Sequence, residues 1–344
     1  MSDEILFEVR GKAGFVTLNR PQALNALTHA KVRALADHLD RWADDPSVAH
    51  VVIRGAGGKA FCAGGDIRSI YDANLAGRVD DLKGFFRDEY TLNARIKAYP
   101  KPYVALIDGI VMGGGVGVSV HGSHRIGTEK TLFSMPETGI GFFPDVGGTY
   151  FLPRMPKSAG VYCALAGSRL KQGDALGTGV LTHAVAQSSL ADVEQVLETA
   201  SDIDEALKPF LVVPEKGPLL ENEVLVEEAF SGRSVEEILD RLDRSETAFG
   251  LKTAKIIREK SPTSVLIAFE QMQRGKDLFF NECMKLEYRI ASRILHGVDF
   301  FEGIRAVVVD KDQSPKWTPS DFIQVDRTEL ASYFEEPSDG DLPL

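Results

Sequence analysis

The sequence predicts an α/β protein with a partly parallel sheet, and three stretches carry that prediction. Tyr103 to Ile107 is a short apolar run between Pro102 and Asp108, which is typical of a buried parallel strand. Val48 to Ile53 is a second apolar run, followed by a glycine-rich loop and a helix-like segment. After about residue 190, Glu, Lys, Asp and Leu recur at helical spacing, so we expect a mostly helical C-terminal region.

Length and composition indicate a globular protein of about two domains. The 344 residues, 44% of them hydrophobic and 26% charged, support an ample core. We expect a core domain over residues 1–190 and a helical region over 191–344, which closes a pocket or forms an oligomer interface. The net charge of −11 argues against nucleic acid and an anionic membrane surface as partners.

Cysteine usage and the N-terminus bear on the cellular compartment. Cys62, Cys163 and Cys283 are an odd, scattered set, which favours free thiols in a reducing compartment over a disulfide framework. Met1 to Glu8 lacks the pattern of a signal peptide, and no apolar run reaches the ~18 residues of a membrane span. We therefore expect a cytoplasmic protein.

The first hundred residues predict a hairpin and two helices. Ile5 to Val9 and Phe15 to Leu18 are β-rich runs around a Gly11–Gly14 turn. Thr28 is a suitable N-cap for a helix that reaches about Trp42. The apolar face of this helix is predicted to hold Val32, Leu35, Leu39 and Trp42, with Lys31, Arg33, Asp37 and Asp40 elsewhere.

Residues 80–97 predict a helix whose apolar stripe carries two polar side chains. Glu89 and Asn93 lie at the same helical spacing as Leu82, Phe86 and Ile96. A carboxylate on an apolar face needs either a partner or a ligand, unless it extends along the helix to reach water. From the residues alone, the more common explanation is that the Glu89 side chain extends along the helix to reach water.

The stretch from Lys101 to Gly148 carries the candidate chemistry. Gly113, Gly114 and Gly115 follow the predicted strand, and residues without Cβ let a backbone N–H approach a ligand closely. If a helix begins there, its first N–H groups lack internal acceptors and attract negative charge, so the triplet is a candidate oxyanion site. Downstream, Glu137 and Asp145 stand among prolines, aromatics and glycines, which is typical of placed rather than solvated acids.

The later helices have recognisable starts. Residues 156–166 and 175–180 read as helical, with breaks at Gly167 and Gly173. Ser234 to Glu237 is a capping-box pattern, and Ser261-Pro262 predicts another helix start. From Ser314 onward the chain is rich in Pro and Asp, so we expect it to run over the surface.

Several functional motifs are excluded. The glycines after Met112 do not complete G-x-G-x-x-G, because position 120 is Val120, and no P-loop is present. His121 and His124 have helical spacing but no clustered third ligand, so no metal site is predicted. Cys62 has no local signature of a nucleophile and is better explained as a small buried thiol.

Three blocks carry a family resemblance. The segments FCAGGDIR, IDGIVMGGGVGVSV and FSMPETGIGFFPDVGG resemble, in this order, the signature blocks of the crotonase (enoyl-CoA hydratase/isomerase) superfamily. With LNRPQALNAL, similar to a CoA-binding segment, the resemblance covers roughly residues 1–190. The later segments SPTSVLIAFEQ and LEYRIASRILHGVDFFEGIRAVVVDKDQSPKW resemble the 3-hydroxyisobutyryl-CoA hydrolase branch. The resemblance implies a crotonase-like spiral fold of ββα units around an acyl-CoA-binding core.

The resemblance also implies roles for particular residues. The N–H groups of Gly65 and Gly114 would form the oxyanion hole, and Glu137 and Asp145 would be the catalytic pair. Glu89 would contact the substrate, together with Gly114 and the catalytic pair, which reverses the expectation from the residues alone. The CoA moiety would lie along two loop segments, represented by Ala23, Leu24 and Ala26 and by Ala63, Asp66 and Ile67.

One departure from the hydratases favours hydrolysis. Hydratases of the superfamily carry a second glutamate two residues after the glycine triplet, where this chain has Gly117. Hydration must activate water at one carbon and deliver a proton to its neighbour, so losing one carboxylate is severe. Thioester hydrolysis needs less proton transfer, because a thiol of pKa ~8.5 leaves readily as thiolate.

The resulting expectation is hydrolysis of a short 3-hydroxyacyl-CoA, foremost 3-hydroxyisobutyryl-CoA in valine breakdown. Glu137 would act as general base or as a nucleophile that forms a transient anhydride, and Asp145 would orient water or the substrate hydroxyl. No cofactor is expected, because CoA is part of the substrate. The alternatives are an enoyl-CoA hydratase or isomerase and a catalytically silent CoA-binding subunit; the family also implies a homotrimer or hexamer.

Overall fold

The structure is a computed structural model that describes residues 3–344. The strands are β1 Ile5–Arg10, β2 Ala13–Leu18, β3 His50–Gly55, β4 Ala60–Cys62, β5 Tyr103–Ile107, β6 Ile110–Met112, β7 His124–Gly127, β8 Leu132–Ser134, β9 Leu170–Lys171 and β10 His183–Ala184. The helices up to residue 200 are α1 His29–Asp44, α2 Ile67–Leu75, α3 Val79–Lys97, α4 Gly114–Gly117, α5 Gly148–Phe151, α6 Ala159–Ala166, α7 Gln172–Gly177 and α8 Leu190–Leu197. The later helices are α9 Ile203–Leu207, α10 Pro218–Glu221, α11 Glu223–Phe230, α12 Val235–Arg244, α13 Ala248–Arg258, α14 Pro262–Gly275, α15 Phe280–Ile294, α16 Asp299–Ile304 and α17 Arg327–Ser332.

The larger sheet has six strands in the order β1-β2-β3-β5-β7-β10. β1 and β2 form the predicted antiparallel hairpin, with Ile5 opposite Leu18, and the other neighbours pair in parallel. All five residues of β5 are buried, because parallel strands carry apolar side chains on both faces. The prediction of a partly parallel sheet with an interior strand at Tyr103–Ile107 is therefore confirmed.

The sheet forms a core with the helices that follow β10. Phe15, Val52 and Val104 from three neighbouring strands are fully buried and belong to one cluster with Val193 and Leu197 of α8. Fully burying side chains of this size stabilises a fold by roughly 1.5–3 kcal/mol each. The helical pattern beyond residue 190 therefore begins with a helix that covers the sheet.

The smaller sheet has four strands in the order β4-β6-β8-β9. β4 and β6 are parallel, with Ala60 opposite Ile110 and Cys62 opposite Val111. A glycine-containing segment follows each of these two strands. Because parallel strands end at the same edge, the two glycine segments lie side by side.

The chain divides into two compact units, each built from three separate stretches. One unit comprises residues 1–65, 92–133 and 170–220 and holds the larger sheet; the other comprises residues 66–91, 134–169 and 221–344 and is mostly helical. The predicted domain boundary near residue 190 stays a prediction, because contact density and independent folding are different properties. Within residues 3–344, none of the helices combines the length and apolar character needed to cross a bilayer.

Two of the predicted helix starts are confirmed, and a third differs in detail. Thr28 caps α1, and Ser261 caps α14 by accepting a hydrogen bond from the Ser264 N–H. Ser234 caps α12, but Glu237 reaches back to the N–H of Arg233, so the box is displaced by one residue.

Three sequence-based expectations were wrong in detail. Lys31 is fully buried, although the helix pattern placed it away from the apolar face. Gly173 lies inside α7 and does not interrupt it. The C-terminal stretch is only partly on the surface, because Val325, Leu330, Phe334 and Leu342 are buried.

Candidate active site

The predicted oxyanion residues lie on two neighbouring segments. Gly64 has a φ of 113°, and a Cβ placed there would lie 3.8 Å from the Gly114 nitrogen. A side chain at Gly115 would collide with the carbonyl oxygen of Cys62. Gly64 needs glycine because of its positive φ, and Gly115 needs it because the Cys62 backbone lies so close. The structure therefore brings Gly65 and Gly114 onto adjacent strand ends.

Gly114 is the first residue of α4, and Gly113 precedes it as N-cap with a φ of 47°. The N–H groups of Val116 and Gly117 donate to the Gly113 carbonyl, which closes the first turn. The N–H of a first helical residue has no acceptor within the helix, so it can donate to a ligand oxygen. Gly117 is buried in the same short helix and carries no carboxylate.

The predicted CoA-binding loops are joined by backbone hydrogen bonds. The Ala63 N–H donates to the Leu24 carbonyl at 3.0 Å, and the Leu27 N–H donates to the Gly64 carbonyl at 2.8 Å. The Lys31 side chain separately donates to the Ala26 carbonyl at 2.8 Å within the first loop. Ala23 ends the short 3₁₀ turn that opens the first loop. Sequence reasoning had no role for Lys31, whose buried side chain finds a hydrogen-bond acceptor in this loop.

Asn25 holds the same loop from within. It has a φ of 59°, and its side-chain amide donates to the carbonyls of Ala56 and Ala60 at 2.9 Å. Asn tolerates this left-handed conformation better than most residues. The loop conformation therefore follows from one buried side chain.

The other two predicted CoA-binding residues begin a helix. Asp66 is the N-cap of α2 and accepts a hydrogen bond from the Ser69 N–H, and Ile67 is the first helical residue. Their backbone is thus fixed at a helix start.

The three predicted acidic residues are all buried. Glu89 on α3 is 2% exposed, Asp145 is 5% exposed, and Glu137 at the start of a 3₁₀ turn is 6% exposed. Oε1 of Glu89 and Oε2 of Glu137 have no hydrogen-bond partner among the described residues. Buried polar atoms are normally paired, so these oxygens suit a polar ligand. Glu89 does not extend to water, which supports the expectation from the family resemblance.

Burial raises the pKa of all three acids, and neighbouring carboxylates raise the pKa of Glu89 and Glu137 further. Burial raises the pKa of Glu137 well above its usual range, and the Asp145 carboxylate raises it further, whereas Lys260 lowers it. Burial, Asp145 and Glu287 likewise raise the pKa of Glu89. Burial raises the pKa of Asp145 to about 7. Asp145 therefore exchanges its proton near neutral pH, and carboxyl groups of raised pKa suit general-base catalysis.

Tyr90 and Glu287 complete this cluster, and sequence reasoning missed both. The Tyr90 hydroxyl donates to Oδ2 of Asp145 at 2.8 Å. Oε2 and Oε1 of Glu287 accept hydrogen bonds from the N–H groups of Gly147 and Thr149, each at 2.8 Å. Burial raises the pKa of Glu287 to about 8. One signal was present: Glu287 stands on the apolar face of its helix, as Glu89 does on α3.

The glycine segments and the acidic cluster belong to different compact units, and each offers its own chemistry. The described residues contain no group of three or more His, Cys, Asp or Glu side chains that could hold a metal ion. None of Cys62, Cys163 and Cys283 is in a disulfide, as predicted, and all three are buried. The glycine segments offer N–H donors, and the acidic cluster offers bases of raised pKa.

Comparison with known proteins gives concordant matches over the whole chain. The family profile described as enoyl-CoA hydratase/isomerase matches residues 13–334. A protein named 3-hydroxyisobutyryl-CoA hydrolase, mitochondrial, from Danio rerio is 46% identical, with 99% of this chain and 92% of that protein covered. The protein of the same name from Homo sapiens is 44% identical, with 99% and 91% covered.

Two solved structures match over their full length. A structure named carnitinyl-CoA dehydratase, from Mycobacterium thermoresistibile, has a TM-score of 0.94 and 38% identity, with 99% of each chain covered. A structure named enoyl-CoA hydratase, from Rhodobacter sphaeroides 2.4.1, has a TM-score of 0.93 and 38% identity, with 99% of this chain and 100% of that chain covered. The sequence relatives and the structural neighbours thus carry names of different reactions.

Proposed function

The chain belongs to the enoyl-CoA hydratase/isomerase family, and we propose that within it the protein hydrolyses 3-hydroxyisobutyryl-CoA to 3-hydroxyisobutyrate and CoA. The crotonase fold expected from the signature blocks is confirmed by the two full-length structural matches. Curated relatives at 43–46% identity over nearly the whole chain are named as this hydrolase. The protein is accordingly an acyl-CoA thioester hydrolase.

The observation that carries the choice of reaction is the acid pattern. Glu137 and Asp145 are present and buried, whereas the position of the second hydratase glutamate is Gly117. A hydratase needs a base at one carbon and an acid at its neighbour. A thioester hydrolase needs one base or nucleophile, because thiolate leaves without prior protonation.

We propose the following roles. The N–H groups of Gly65 and Gly114 donate to the thioester oxygen as it gains negative charge. Glu137 takes a proton from water, the water oxygen bonds to the carbonyl carbon, and the C–S bond then breaks to release thiolate. That thiolate takes the proton that Glu137 received, so the products are the carboxylic acid and free CoA, and Glu137 is again a carboxylate. In the nucleophilic variant the Glu137 carboxylate bonds to the carbonyl carbon as the C–S bond breaks, and water then cleaves the resulting anhydride, which releases the acid and restores Glu137.

Asp145 and Glu89 act on water and the acyl group in this proposal. Asp145 accepts a hydrogen bond from the water or from the substrate hydroxyl and so orients it, while the Tyr90 hydroxyl donates to Oδ2 of the same carboxylate. Glu89 has a buried oxygen without a protein partner, which suits the hydroxyl group of a 3-hydroxyacyl chain. The adenine and pantetheine lie along the loops of Ala23–Ala26 and Ala63–Ile67. No cofactor takes part, because CoA arrives with the substrate.

Two acyl-CoA substrates separate hydrolysis from hydration. Purified protein is incubated with 3-hydroxyisobutyryl-CoA and, separately, with crotonyl-CoA, and free thiol and enoyl absorbance are followed. We expect rapid thiol release from the first and little loss of the double bond in the second. The hydratase alternative, which the names of the two solved structures favour, predicts the reverse. Bound CoA without turnover of any acyl-CoA would indicate a silent binding subunit.

The remaining parts of the proposal concern the cell. We place the reaction in valine breakdown, which releases 3-hydroxyisobutyryl-CoA, and growth on valine as carbon source tests it in a deletion strain. Cytoplasmic localisation stays a prediction, and the mitochondrial names of the vertebrate relatives do not support it. A homotrimer or hexamer is proposed from the family resemblance, and light scattering after gel filtration tests that state.

A further inference from the structure

The turn that follows Asp145 is strained. The Gly148 N–H donates to the Asp145 carbonyl at 2.8 Å, and the two residues between them, Val146 and Gly147, have φ values of 50° and 89°. Positive φ suits glycine but is a genuine outlier for a β-branched residue such as valine. Such strain persists only where the surroundings over-determine the backbone. The turn beside Asp145 is therefore held in place by other groups.

The holding contacts come from two helices far along the chain. Glu287 on α15 accepts hydrogen bonds from the Gly147 and Thr149 N–H groups, one on each carboxylate oxygen. Gln271 on α14 donates to the Pro144 carbonyl at 2.6 Å and to the Thr149 hydroxyl at 2.7 Å. Gln271 and Glu287 thus hold the backbone by hydrogen bonds on both sides of Asp145.

Among the described residues, the groups that act on the Glu287 carboxylate are Gly147, Thr149 and Asp145, and none of them is a cation. Glu287 is 0% exposed, and its carboxylate accepts hydrogen bonds from the backbone N–H groups of Gly147 and Thr149, with a further contribution from the Thr149 side chain. Backbone N–H groups that converge after left-handed residues form a concavity for an anion. Keeping a carboxylate in a dry core is costly, so the turn is the reason for its presence.

We propose that Glu287 is a positioning residue for the hydrolysis, which holds the strained turn after Asp145 and thereby fixes where the Asp145 carboxylate points. This rests on the proposed function. Glu287 acts through the backbone N–H groups of Gly147 and Thr149. Tyr90 holds the same carboxylate from its side chain, so backbone and side chain are fixed by separate elements.

The central test is Glu287→Gln. Glutamine keeps the size of the side chain but can accept on only one of its two terminal atoms, so one of the two N–H bonds is lost. Displacing a catalytic group by about 1 Å can cost ~10²-fold. We expect kcat for thiol release to fall about 10- to 100-fold while KM changes less than about threefold. Unchanged kcat overturns the proposal.

Asp174→Asn is the matched control. Asp174 is also buried, and its carboxylate accepts the N–H groups of Gly217, Leu219 and Leu220 in a turn remote in sequence from Asp145. We expect this variant to lower the melting temperature but to leave kcat near the parent value. An equal loss of kcat in both variants would mean that Glu287 has only a structural role.

Relief of strain supplies a rescue experiment. In the Glu287→Gln background, Val146→Gly allows the turn to form without the second hydrogen bond, whereas Val146→Ala removes side-chain bulk and keeps the strain. We expect Val146→Gly to raise kcat at least threefold above that of Glu287→Gln alone, and Val146→Ala to leave it unchanged. Equal recovery by both, or recovery by neither, overturns the assignment.

Amide hydrogen exchange tests the turn without turnover. In the parent protein the amides of Gly147 and Thr149 should be protected, and Glu287→Gln should speed their exchange at least tenfold. Unchanged exchange overturns the positioning role even if no substrate is turned over. A parent protein that lacks thiol release but shows the exchange change would instead refute the proposed hydrolysis.

Discussion

The Tyr90 hydroxyl donates a 2.8 Å hydrogen bond to Oδ2 of Asp145, with both side chains buried. This bond lowers the pKa of Asp145, which burial has raised to about 7. The two residues lie 55 positions apart, so the fold sets the ionisation of a predicted catalytic group through a contact that the sequence does not display.

Tyr90→Phe should shift the pH profile of hydrolysis to higher pH. Without the hydroxyl, the pKa of Asp145 rises further, so less of the required carboxylate is present at pH 6–7 and activity returns as pH rises. The measurement is kcat/KM for thiol release between pH 5.5 and 9.5. Tyr103→Phe is the control, because its buried hydroxyl donates to the Val118 carbonyl instead. The prediction is contradicted if the rise of kcat/KM on the acid side of the profile stays at the same pH or moves to lower pH in Tyr90→Phe.

Glu137→Gln should bind acyl-CoA yet hydrolyse it slowly. General-base contributions amount to ~10²–10⁴-fold, and glutamine keeps the shape while losing the base. Thiol release in single turnover and calorimetric binding of a non-hydrolysable thioester analogue give the two readouts. Turnover near the parent rate would remove Glu137 from the mechanism.

Heavy-oxygen water can distinguish the two proposed roles of Glu137. If Glu137 is a nucleophile and water attacks its own carbonyl carbon, ¹⁸O enters the side chain and the Glu137 peptide becomes heavier. If Glu137 is a base, ¹⁸O appears only in the released acid. Mass spectrometry after a single turnover measures both products.

Gly114→Pro should impair turnover while leaving the fold intact. Proline is favoured at the first position of a helix, which Gly114 occupies in α4, but it removes the N–H donor. Losing one oxyanion donor costs ~3 kcal/mol, or about a hundredfold or more in kcat. Gly114→Ala keeps the N–H and should stay much closer to the parent. Near-normal kcat in a folded Gly114→Pro protein would refute the oxyanion role.

Glu89→Gln should stabilise the protein at alkaline pH. The pKa of Glu89 is higher in the folded than in the unfolded state, so raising the pH above ~4.3 ionises the unfolded chain first and lowers the stability of the parent. Glutamine does not ionise, so the variant avoids this loss of stability. Its melting temperature should therefore exceed that of the parent by a margin that grows from pH 5 to pH 9. Glu228→Gln, at an exposed position of α11, should show no such trend. A constant difference across this range contradicts the prediction.

Much of the fold could be predicted because its signals are local. The apolar run of β5, the Thr28 cap and the spacing of α3 each depend on a few neighbouring residues. Local patterns cannot reveal which strands pair, nor that Lys31 turns inward to bind the Ala26 carbonyl. A buried polar group finds its hydrogen-bond partner through the tertiary structure, so helix and strand propensities do not predict that partner.

The site was predictable as far as the family's motifs extend. Glu137, Asp145 and the glycine triplet stand in recognisable blocks, and their burial agrees with placed acids. Tyr90 and Glu287 reach Asp145 and its turn from 55 and about 140 positions away, where no motif joins them. Glu287 has one local signal, a carboxylate on an apolar helix face, which it shares with Glu89.

The two hydrogen bonds that Glu287 accepts from the Asp145 turn also have a consequence for the order of events during synthesis. The ribosome makes the turn long before Glu287, since Glu287 lies 140 positions after Gly147 in the sequence. A nascent or truncated chain that ends before α15 therefore lacks the group that fastens the turn. Catalytic competence arrives late, and we expect fragments released early to leave the acyl-CoA pool untouched.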